Sequence, residues 1–370
     1  DATLAAGVMP AVVPELKSIT VGGAVAGVGI EATSFRHGLV HHTMLELDVL
    51  LPDGSIVLCT PDNAHRDLFY GFPNSYGTLG YALRVRLRTL PVRRFVRIDH
   101  RVDDEPARFL AGLDDDEARG ADFVEGVVFG PRSHVRSLGR FVDEAPFTSD
   151  YTFQRIYYRS LLERTTDYLT VRDYLWRWDT DWFWCSRNIG AQHPLVRRLL
   201  GRARLNSRFY TSVMRFNARW GLSRALARLG GRHPESVIQD VDIPFARGGP
   251  FLAFLVQAIG ILPIWVCPIG VPAESGEFPL YPLRRAERYL NFGFWDVIDD
   301  SPDPDGGHFN RRIEQEVLSA HGVKSLYSDA YFTPEEFARA YDLRGYERLK
   351  ARYDPAGRML TLYEKCVLRA

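Results

Sequence analysis

The chain has 370 residues, 46 basic and 46 acidic side chains, and 4 cysteines. This length allows two domains with a large core, and the zero net charge gives no reason to expect a nucleic-acid partner. The cysteines (Cys59, Cys185, Cys267 and Cys366) form no CxxC pair, which indicates reduced thiols in a cytoplasmic protein, and no apolar run reaches the roughly 18 residues of a spanning helix.

A glycine-rich stretch lies near the start of the chain, at residues 18–38. It reads SITVGGAVAGVGIEATSFRHG, and its small residues leave backbone N–H groups uncovered, so that several can point at one anion such as a diphosphate. It is not the Rossmann fingerprint, because Gly27-Val28-Gly29 lacks the third glycine and the following acidic residue in a βαβ frame. By itself the stretch is compatible with two interpretations, a purely structural turn or a ligand-binding loop.

The pattern that follows predicts short strands. A hairpin is expected at 46–51 and 55–60, joined at Pro52-Asp53-Gly54. Residues 82–90 alternate, with Leu83, Val85 and Leu87 on one face and arginines on the other, as in a half-buried strand that Pro91 closes.

Further elements are predicted along the second half of the chain. Strands are expected at 123–129, 134–141, 236–243, 263–266 and 288–294, followed by a helix at 309–320 and a strand at 324–330. Two closing helices complete the chain. The first has Thr333 as N-cap, Pro334 at the first position and Glu336 at the third, which predicts a capping box.

The middle of the chain has an unusual composition. Residues 151–184 are dense in aromatic side chains, and residues 187–232 contain eleven arginines and no acidic residue. Within them an amphipathic helix is predicted from the spacing of Val213, Phe216, Trp220, Ala225 and Leu229. Basic residues gain roughly 1 kcal/mol each near an anionic leaflet, and interfacial helices add tryptophan and phenylalanine. We therefore expect 151–232 to be a lid that touches an anionic membrane and admits a lipid tail; the alternative is a solvated basic face over an ordinary aromatic core.

Several motifs resemble a known family in their order and spacing. TVGGAVAGVGIE (20–31), PDGS (52–55), DLFY (67–70) and GTLG (77–80) resemble the second half of the FAD-binding domain in flavoproteins of the vanillyl-alcohol oxidase, or PCMH, type. Segments 237–240, 262–268, 326–329 and 362–366 resemble the Δ24-sterol reductase-like branch. Residues 172–184 are similar to bacterial members that reduce methylene-branched fatty acyl chains.

The resemblance implies an α+β fold with three parts. The second half of a PCMH-type FAD-binding domain is expected at 1–92, and an α+β substrate or cap domain with an antiparallel sheet at 93–333, including the insert 151–232. C-terminal helices at 334–370 are expected to return to the FAD domain. In the family a further α+β subdomain precedes the glycine-rich stretch, so we expect that subdomain to be missing from this chain.

The resemblance also implies a non-covalent FAD, with NADPH as the electron donor although no dinucleotide fingerprint for it is visible. The residues expected to contact FAD are Thr20, Val21, Gly22, Gly23, Gly27, Gly29, Ile30, Glu31, Ser34 and Gly38, with Gly77, Thr78, Leu79 and Gly80 on the adenosine side.

Reduction of an isolated C=C bond needs a hydride on one carbon and a proton on the other, and therefore a general acid. Tyr327, Glu31 and His37 are the candidate acids; Tyr327, Asp329 and Tyr331 are expected to share one face of the strand 324–330. Trp265, Asn291 and Asp329 are the candidate substrate contacts, and each of these residues has the alternative of being a core group.

The resulting hypothesis is an FAD-dependent enzyme that reduces a C=C bond in a methylene-branched fatty acyl chain or a sterol side chain, in the cytoplasm or peripherally on the inner face of the membrane. His41 and His42 have no carboxylate or cysteine at ligand spacing, so no metal is expected. Two alternatives stay open: an FAD-linked alcohol oxidase or dehydrogenase on the same scaffold, and a flavin-free lipid-binding, membrane-associated protein.

Overall fold

The computed structural model describes residues 1–220 and 230–370, which form an α+β fold, as predicted. The strands are β1 (Val8–Pro10), β2 (Met44–Leu50), β3 (Ile56–Cys59), β4 (Tyr81–Leu87), β5 (Thr89–Pro91), β6 (Phe95–Asp103), β7 (Phe123–Gly130), β8 (Ser133–Val142), β9 (Thr166–Thr170), β10 (Glu235–Pro244), β11 (Ile264–Gly270), β12 (Arg288–Ile298) and β13 (Val323–Lys324). They form an eight-stranded antiparallel sheet in the order β13-β10-β12-β11-β7-β8-β6-β9, a three-stranded sheet β3-β2-β4 and a pair β1-β5.

The helices are mostly short. The described α-helices are Ala2–Ala5, Val21–Ala26, Ser34–His37, Arg66–Gly71, Pro106–Gly112, Asp116–Arg119, Tyr157–Ser160, Val171–Leu175, Pro194–Leu200, Ser207–Trp220, Gly248–Phe254, His308–Ser319, Pro334–Ala340 and Leu343–Tyr353. Tighter or wider turns occur at Val40–Thr43, Cys185–Ile189, Arg202–Arg204, Phe245–Arg247, Leu255–Ile259 and Glu364–Leu368. None of the described helices is long and apolar enough to cross a membrane.

The three-stranded sheet contains the predicted hairpin, with β2 paired to β3 and to β4. One expectation for this sheet was wrong: Leu83 does not share a buried face with Val85 and Leu87, because it is 54% exposed. The physical reason is a register shift between Asp48 and Val49 of β2, which leaves Leu83 without a partner and reverses its direction.

The core beneath the three-stranded sheet joins the two ends of the chain. Leu47, Val49 and Phe69 pack in one apolar cluster with Tyr346 and Leu362 near the carboxyl end. The closing helices therefore contact the glycine-rich half of the chain. The division into domains at residues 92 and 333 stays a prediction.

The eight-stranded sheet has one apolar and one polar face. Residues opposite each other in the register share a face, so Val241, Phe292, Val266, Val124 and Leu138 define one side. That side is buried against the helices Pro106–Gly112, Gly248–Phe254 and His308–Ser319. The opposite side, which we call the polar face, carries the following residues: Asp240, Asp242, Asn291, Gly293, Trp295, Trp265, Cys267, Glu125 and Ser137.

The predicted strand at 324–330 was wrong beyond its first residue. Only Val323 and Lys324 pair with β10, and the chain then turns so that the Lys324 Nζ donates a hydrogen bond to the Asp329 carbonyl. Tyr327, Asp329 and Tyr331 consequently share no strand face. The remaining predicted strands were confirmed, and β11 extends further than the sequence indicated.

The predicted capping box was confirmed atom for atom. The Thr333 Oγ1 accepts a hydrogen bond from the Glu336 backbone N–H at 3.2 Å, and the Glu336 carboxylate accepts one from the Thr333 N–H at 2.8 Å. Pro334 occupies the first helical position, where the missing N–H has no consequence.

The aromatic middle segment divides into core and surface. Trp178, Trp184 and Tyr157 are buried, as the ordinary-core alternative requires. The predicted amphipathic helix was confirmed as Ser207–Trp220, but its Phe216 and Trp220 are 59% and 62% exposed. The predicted positions Ala225 and Leu229 lie outside the described residues.

Candidate active site

The start of the helix Val21–Ala26 is open to solvent. Thr20 caps it, because its Oγ1 accepts a hydrogen bond from the Gly23 N–H at 3.0 Å. The N–H groups of Val21 and Gly22 lie in the first turn, where the helix offers them no carbonyl. Ile19 and Val21 present exposed apolar side chains beside them. Residues 19–23 therefore offer unpaired N–H donors next to an apolar surface.

The second part of the glycine-rich stretch is buried. A Cβ at Gly29 would lie 2.6 Å from a methyl group of Val40, and Gly38 has a φ of +70° beside the His42 ring. These two glycines are thus explained by close packing against the turn Val40–Thr43. The Ser34 Oγ accepts a hydrogen bond from the Glu31 N–H at 3.1 Å, which fixes the loop around Glu31. Contact of Gly27, Gly29, Ile30, Ser34 and Gly38 with a cofactor stays a prediction.

The loop 77–80 has two glycines with positive φ and two buried side chains. Gly77 and Gly80 have φ values of +74° and +136°, and a Cβ at Gly80 would lie 2.5 Å from the Leu50 carbonyl oxygen. Thr78 and Leu79 point into the core. Only the backbone of this loop is therefore free to contact a ligand, and such contact also stays a prediction.

Glu31 lies in a buried cluster of three carboxyl groups and one guanidinium. The Nη2 of Arg177 is 2.8 Å from Glu15, 3.5 Å from Glu31 and 3.0 Å from Glu125. All four side chains are at most 3% exposed. We call Glu15, Glu31, Glu125 and Arg177 the buried carboxyl cluster. Its guanidinium also packs 4.0 Å from the centre of the Tyr174 ring.

The electrostatics of this cluster favour retention of a proton. With all groups ionised, three carboxylates would face one guanidinium in an interior that disfavours charge. Burial raises the pKa of Glu31, and although Arg177 opposes the rise, Glu125 adds to it. Burial also raises the pKa of Glu15 well above its usual value, and Glu31 raises it further. The hydrogen bond between Glu15 and Glu31 raises the pKa of Glu15 and lowers that of Glu31, so the two carboxyl groups share a retained proton.

Trp265, a predicted substrate contact, forms a hydrogen bond with the buried carboxyl cluster. Its Nε1 donates to the Glu125 Oε2 at 2.9 Å, and the Trp178 Nε1 donates to the same oxygen at 3.0 Å. Two indole donors and Arg177 therefore fix the position of the Glu125 carboxyl group. The Cys267 thiol on the same sheet face donates to the Glu31 carbonyl oxygen at 3.2 Å, which joins the polar face to the glycine-rich stretch.

A second polar group surrounds Tyr327. Its hydroxyl donates to the Asp240 Oδ2 at 2.6 Å and accepts from the Trp295 Nε1 at 2.8 Å, although the residue as a whole is 46% exposed. Burial raises the pKa of Asp240 to about 7. Burial, and then Asp240, raise the pKa of the Tyr327 phenol well above its usual value.

Asn291, another predicted substrate contact, lies beside this group. Its Nδ2 donates to the Asp242 Oδ1 at 2.8 Å, and its buried Oδ1 has no donor among the described residues. Burial raises the pKa of Asp242 to about 6, against hydrogen bonds from Asn291 and Tyr281 that lower it.

The structure brings Glu31, Trp265, Asn291 and Tyr327 together on the polar face but not His37 or Asp329. Ring contacts link the two polar groups, since Phe183 packs 5.5 Å from Trp265 and 4.3 Å from Trp295. His37 is half-buried and forms no hydrogen bond with either group in the described part of the chain. Asp329 pairs at the surface with Arg369 at 3.0 Å.

Sequence reasoning missed the partners of the predicted residues, namely Glu15, Glu125, Arg177, Asp240 and Asp242. A signal was available for three of them. Glu125 stands in the apolar strand FVEGVVF, and Asp240 and Asp242 alternate with apolar residues in β10. A charged residue at such a position is buried and needs a partner.

No group of three histidine, cysteine or acidic side chains is placed to hold a metal ion within 1–220 and 230–370. The buried ring of His41 packs edge-on against Phe278 at 4.6 Å, and neither of its nitrogens has a partner in the described structure.

Comparison with known proteins gives similarity over nearly the whole chain. Residues 1–60 match the family described as FAD binding domain. Human Delta(24)-sterol reductase is 28% identical over 377 residues, covering 96% of this chain and 69% of the human protein. The Pisum sativum Delta(24)-sterol reductase is 26% identical, covering 96% and 68%. Cytokinin dehydrogenase 7 of Oryza sativa subsp. japonica is 32% identical over 156 residues, covering 40% and 28%.

The geometry of residues 19–31 fits FAD. The open first turn of the helix Val21–Ala26 supplies unpaired N–H donors of the kind that hold phosphate oxygens. Glu31, at the far end of the same stretch, is fully buried, and the one cation beside its carboxyl group among the described residues is Arg177 at 3.5 Å. Val21 and Gly22 would donate to the diphosphate, because the Gly23 N–H is already bound to the Thr20 Oγ1, and a bound flavin would supply hydride-transfer chemistry. Contact of Thr20 and Gly23 with FAD stays a prediction.

Proposed function

We propose that this chain, an FAD-binding oxidoreductase of the Δ24-sterol reductase-like branch, reduces a carbon–carbon double bond in a lipid. The observation that carries the proposal is the buried carboxyl cluster, which keeps a proton next to the FAD-binding stretch and on the polar face of the large sheet. A bound flavin would supply a hydride for one alkene carbon, and the protein would supply a proton for the other, which together would saturate the bond.

Glu31 is the proton donor in this proposal. A group that protonates an unactivated alkene must be protonated at neutral pH and still be a reasonably strong acid. The pKa of His37 is lowered by burial and by Arg36 and Arg88, so its ring carries no extra proton to give. The raised pKa of the Tyr327 phenol makes it a weak acid. Glu31 is a carboxylic acid whose pKa is raised by burial, and it shares a hydrogen bond with the protonated partner Glu15.

The other cluster residues position Glu31 and restore its proton. The Arg177 Nη2 lies 2.8 Å from Glu15 and 3.5 Å from Glu31. Its positive charge therefore stabilises the carboxylate that Glu31 becomes when it gives its proton to the alkene. Glu15 then passes a proton to Glu31 through the hydrogen bond between the two carboxyl groups. Trp178 and Trp265 both donate to the Glu125 Oε2 and so occupy this oxygen, which keeps it from accepting the proton.

The substrate is a methylene-branched fatty acyl chain or a sterol side chain, and NADPH is the electron donor. The motif resemblance at residues 172–184 supports the acyl chain, and the Delta(24)-sterol reductase relatives support the sterol. Trp265, Asn291 and Trp295 on the polar face are the side chains that would contact either one.

An apolar surface on the arginine-rich segment is the membrane contact in this proposal. Leu195 and Leu199 of the helix Pro194–Leu200 are 67% and 81% exposed, and Phe216 and Trp220 of the helix Ser207–Trp220 are exposed as well. Arg198, Arg204 and Arg215 are exposed on the same segment. Apolar side chains among basic residues are typical of a helix that lies on an anionic leaflet.

Sedimentation with anionic vesicles tests the membrane contact. The double change of Leu199→Ser and Phe216→Ser is expected to abolish sedimentation at low salt, because each removes an exposed apolar side chain of this surface. Ile56→Ser is the matched control, since Ile56 is 60% exposed on the three-stranded sheet. Equal sedimentation of the double variant and the control would contradict this contact.

Product analysis tests the reaction itself. The purified chain is supplied with FAD and NADPH without oxygen, and a methylene-branched acyl phospholipid and a sterol with an unsaturated side chain are offered separately. Mass spectrometry is expected to show one lipid gaining two hydrogens. Oxidation of an alcohol with uptake of oxygen, and no saturated lipid, would favour the oxidase alternative.

A further inference from the structure

A cavity of about 580 Å³ lies between the loop at Lys17, residues 151–180 and the start of the helix Ser207–Trp220. Its wall includes Lys17, Arg172, Trp176, Leu205, Arg208 and Phe209. The volume falls within the range of small-molecule sites, which is about 300–1,000 Å³. The cavity is separate from the residues 19–23 that would hold the FAD diphosphate.

The wall is strongly basic. Five of its side chains are cationic (Lys17, Arg172, Arg177, Arg202 and Arg208), and Asp173 is the one acidic side chain among the residues that line it. Some of these cations are already engaged. Arg177 belongs to the buried carboxyl cluster, Arg202 pairs with Asp150 at 2.8 Å, and Arg172 pairs with Asp1 at 2.8 Å.

Two cations remain weakly engaged. Arg208 donates from Nε to the Lys17 carbonyl oxygen at 3.0 Å and forms no ion pair in the described part of the chain, so its terminal nitrogens are available to a ligand. Lys17 lies 3.6 Å from Asp179 and 5.4 Å from the centre of the Trp176 ring. A guanidinium fork and an ammonium on one wall match a phosphate ester, which offers several acceptor oxygens and up to two negative charges.

Part of the wall is apolar. Leu169, Trp176, Leu205 and Phe209 line the cavity beside the cations. A free inorganic anion would use none of this surface. The lining therefore favours a phosphate ester on an apolar or aromatic body over a bare ion.

Hydrogen bonds fix the cavity to the FAD-binding stretch. The Ser18 N–H donates to the Ser207 Oγ at 3.0 Å, and the Lys17 N–H donates to the Asp179 Oδ1 at 2.7 Å. The Ser207 hydroxyl donates to the same oxygen of Asp179 at 2.6 Å. The start of the helix Ser207–Trp220 is thus tied to Lys17 and Ser18, so the cavity lies next to the residues that immediately precede Thr20.

We propose that this cavity binds the phosphate ester group of a reactant, with Arg208 and Lys17 as the ligands of the phosphate and Trp176 and Phe209 against its apolar body. The identification of the ligand as a reactant rests on the proposed function; the binding of a phosphate ester does not. Two sources share this chemistry, the headgroup of a phospholipid substrate and the phosphates of a nicotinamide dinucleotide.

Direct titration distinguishes the sources without requiring turnover. Dihexanoyl-phosphatidylglycerol and NADP⁺ are titrated separately into the purified chain by calorimetry, at low and at high salt. Arg208→Ala and Lys17→Gln are each expected to weaken binding of one probe by about ten-fold or more, because each removes a charge-assisted contact. Arg132→Ala is the control, because Arg132 is 85% exposed in the turn between β7 and β8 and does not line the cavity.

Loss of affinity for the lipid alone identifies the headgroup as the ligand, and loss for NADP⁺ alone identifies the dinucleotide. Equal affinity of the two variants and the control for both probes would overturn the proposal, as would the absence of binding of both probes to the wild type. Thermal unfolding of each variant confirms that it is folded. Since flavin and lipid reduction are not measured, failure here leaves the reductase proposal standing, and failure of lipid reduction leaves this binding result intact.

Discussion

Glu31 gains its chemical character from its neighbours. Burying three carboxyl groups around one guanidinium costs free energy that apolar side chains of similar volume would not, so the arrangement is hard to explain by stability. Perturbed titratable groups at the end of a cofactor-binding stretch are instead a feature of active sites. The same residue at the surface would be an ordinary carboxylate with no proton to donate at neutral pH.

Replacement of Glu31 by glutamine is expected to slow reoxidation of the reduced flavin by the alkene by about 100-fold or more, because the amide keeps the shape but cannot supply the proton. Reduction of the flavin by the electron donor is expected to be unchanged. Stopped-flow absorbance measures the two half-reactions separately.

Tyr327→Phe is the companion variant for that measurement. Its reoxidation rate is expected to stay within about ten-fold of the wild type, because the phenol is not the acid. A large loss in Tyr327→Phe together with a wild-type rate in Glu31→Gln would transfer the role of proton donor to Tyr327.

Asp240 is expected to give the folded protein a measurable pH dependence. Its folded pKa of about 7 lies above the value of an unfolded aspartate, so the folded state binds more protons than the unfolded chain between the two values. This contribution to stability is complete at acidic pH below the unfolded pKa, and it is lost as the pH rises through about 7.

Asp240→Asn mimics the protonated side chain and should remove this part of the pH dependence. We expect the variant and the wild type to unfold with similar free energy near pH 4, and the variant to be more stable by up to about 4 kcal/mol near pH 9. Urea unfolding at several pH values measures the difference. Asp329→Asn, at an exposed ion pair, is the control; a parallel pH profile for Asp240→Asn and wild type would refute the raised pKa.

At the scale of single elements, a helix end or hairpin was predicted correctly when residues close in sequence determine it. The capping box at Thr333 and the hairpin at Pro52-Asp53-Gly54 were predictable because a few neighbouring residues satisfy their own backbone groups. The prediction of a strand at 324–330 was wrong because side chains outside the local pattern determine the backbone of this segment. Lys324 and Glu314 bind the backbone of this segment and turn it away from β10.

Gly293 illustrates a tertiary requirement inside a well-predicted strand. A Cβ at this position in β12 would lie 2.6 Å from the Asp240 Oδ1 and 2.6 Å from the Trp295 ring. Gly293→Ala is therefore expected to destabilise the protein by about 1–3 kcal/mol through overpacking.

Gly130→Ala at the end of β7 is the matched control, because nothing lies within 4 Å of a Cβ there. Its effect is expected to stay within about 0.5 kcal/mol. Chemical denaturation compares the two variants, and equal stability would show that the polar face around Asp240 can relax.

At the scale of the whole molecule, the site arises where two parts of the chain meet. The glycine-rich stretch brings Glu31, and the polar face of the eight-stranded sheet brings Glu125, Trp265 and Asp240. Sequence motifs indicated the stretch, because its glycines and their spacing are local. The partners of Glu31 could not be predicted, because Glu15, Glu125 and Arg177 are separated by up to 162 residues and meet only through the register of the sheet.

His37 was a reasonable candidate from the sequence, but the fold does not bring it to the buried carboxyl cluster. It follows Glu31 closely in the chain, but the turn Ser34–His37 directs it away from the buried carboxyl cluster. Nearness in sequence predicted a shared site, and the backbone between the two residues prevents it.

Reoxidation of the bound flavin by an alkene tests the central claim most directly. The chain is loaded with FAD, its flavin is reduced chemically in the absence of oxygen, and the lipid alkene is added while visible absorption is recorded. The account predicts that the absorption of oxidised flavin returns, that the saturated analogue of the lipid has no such effect, and that the recovered lipid carries two more hydrogens. A flavin that binds and stays reduced with each alkene offered, yet reoxidises rapidly in air, would contradict the account and favour an oxidase.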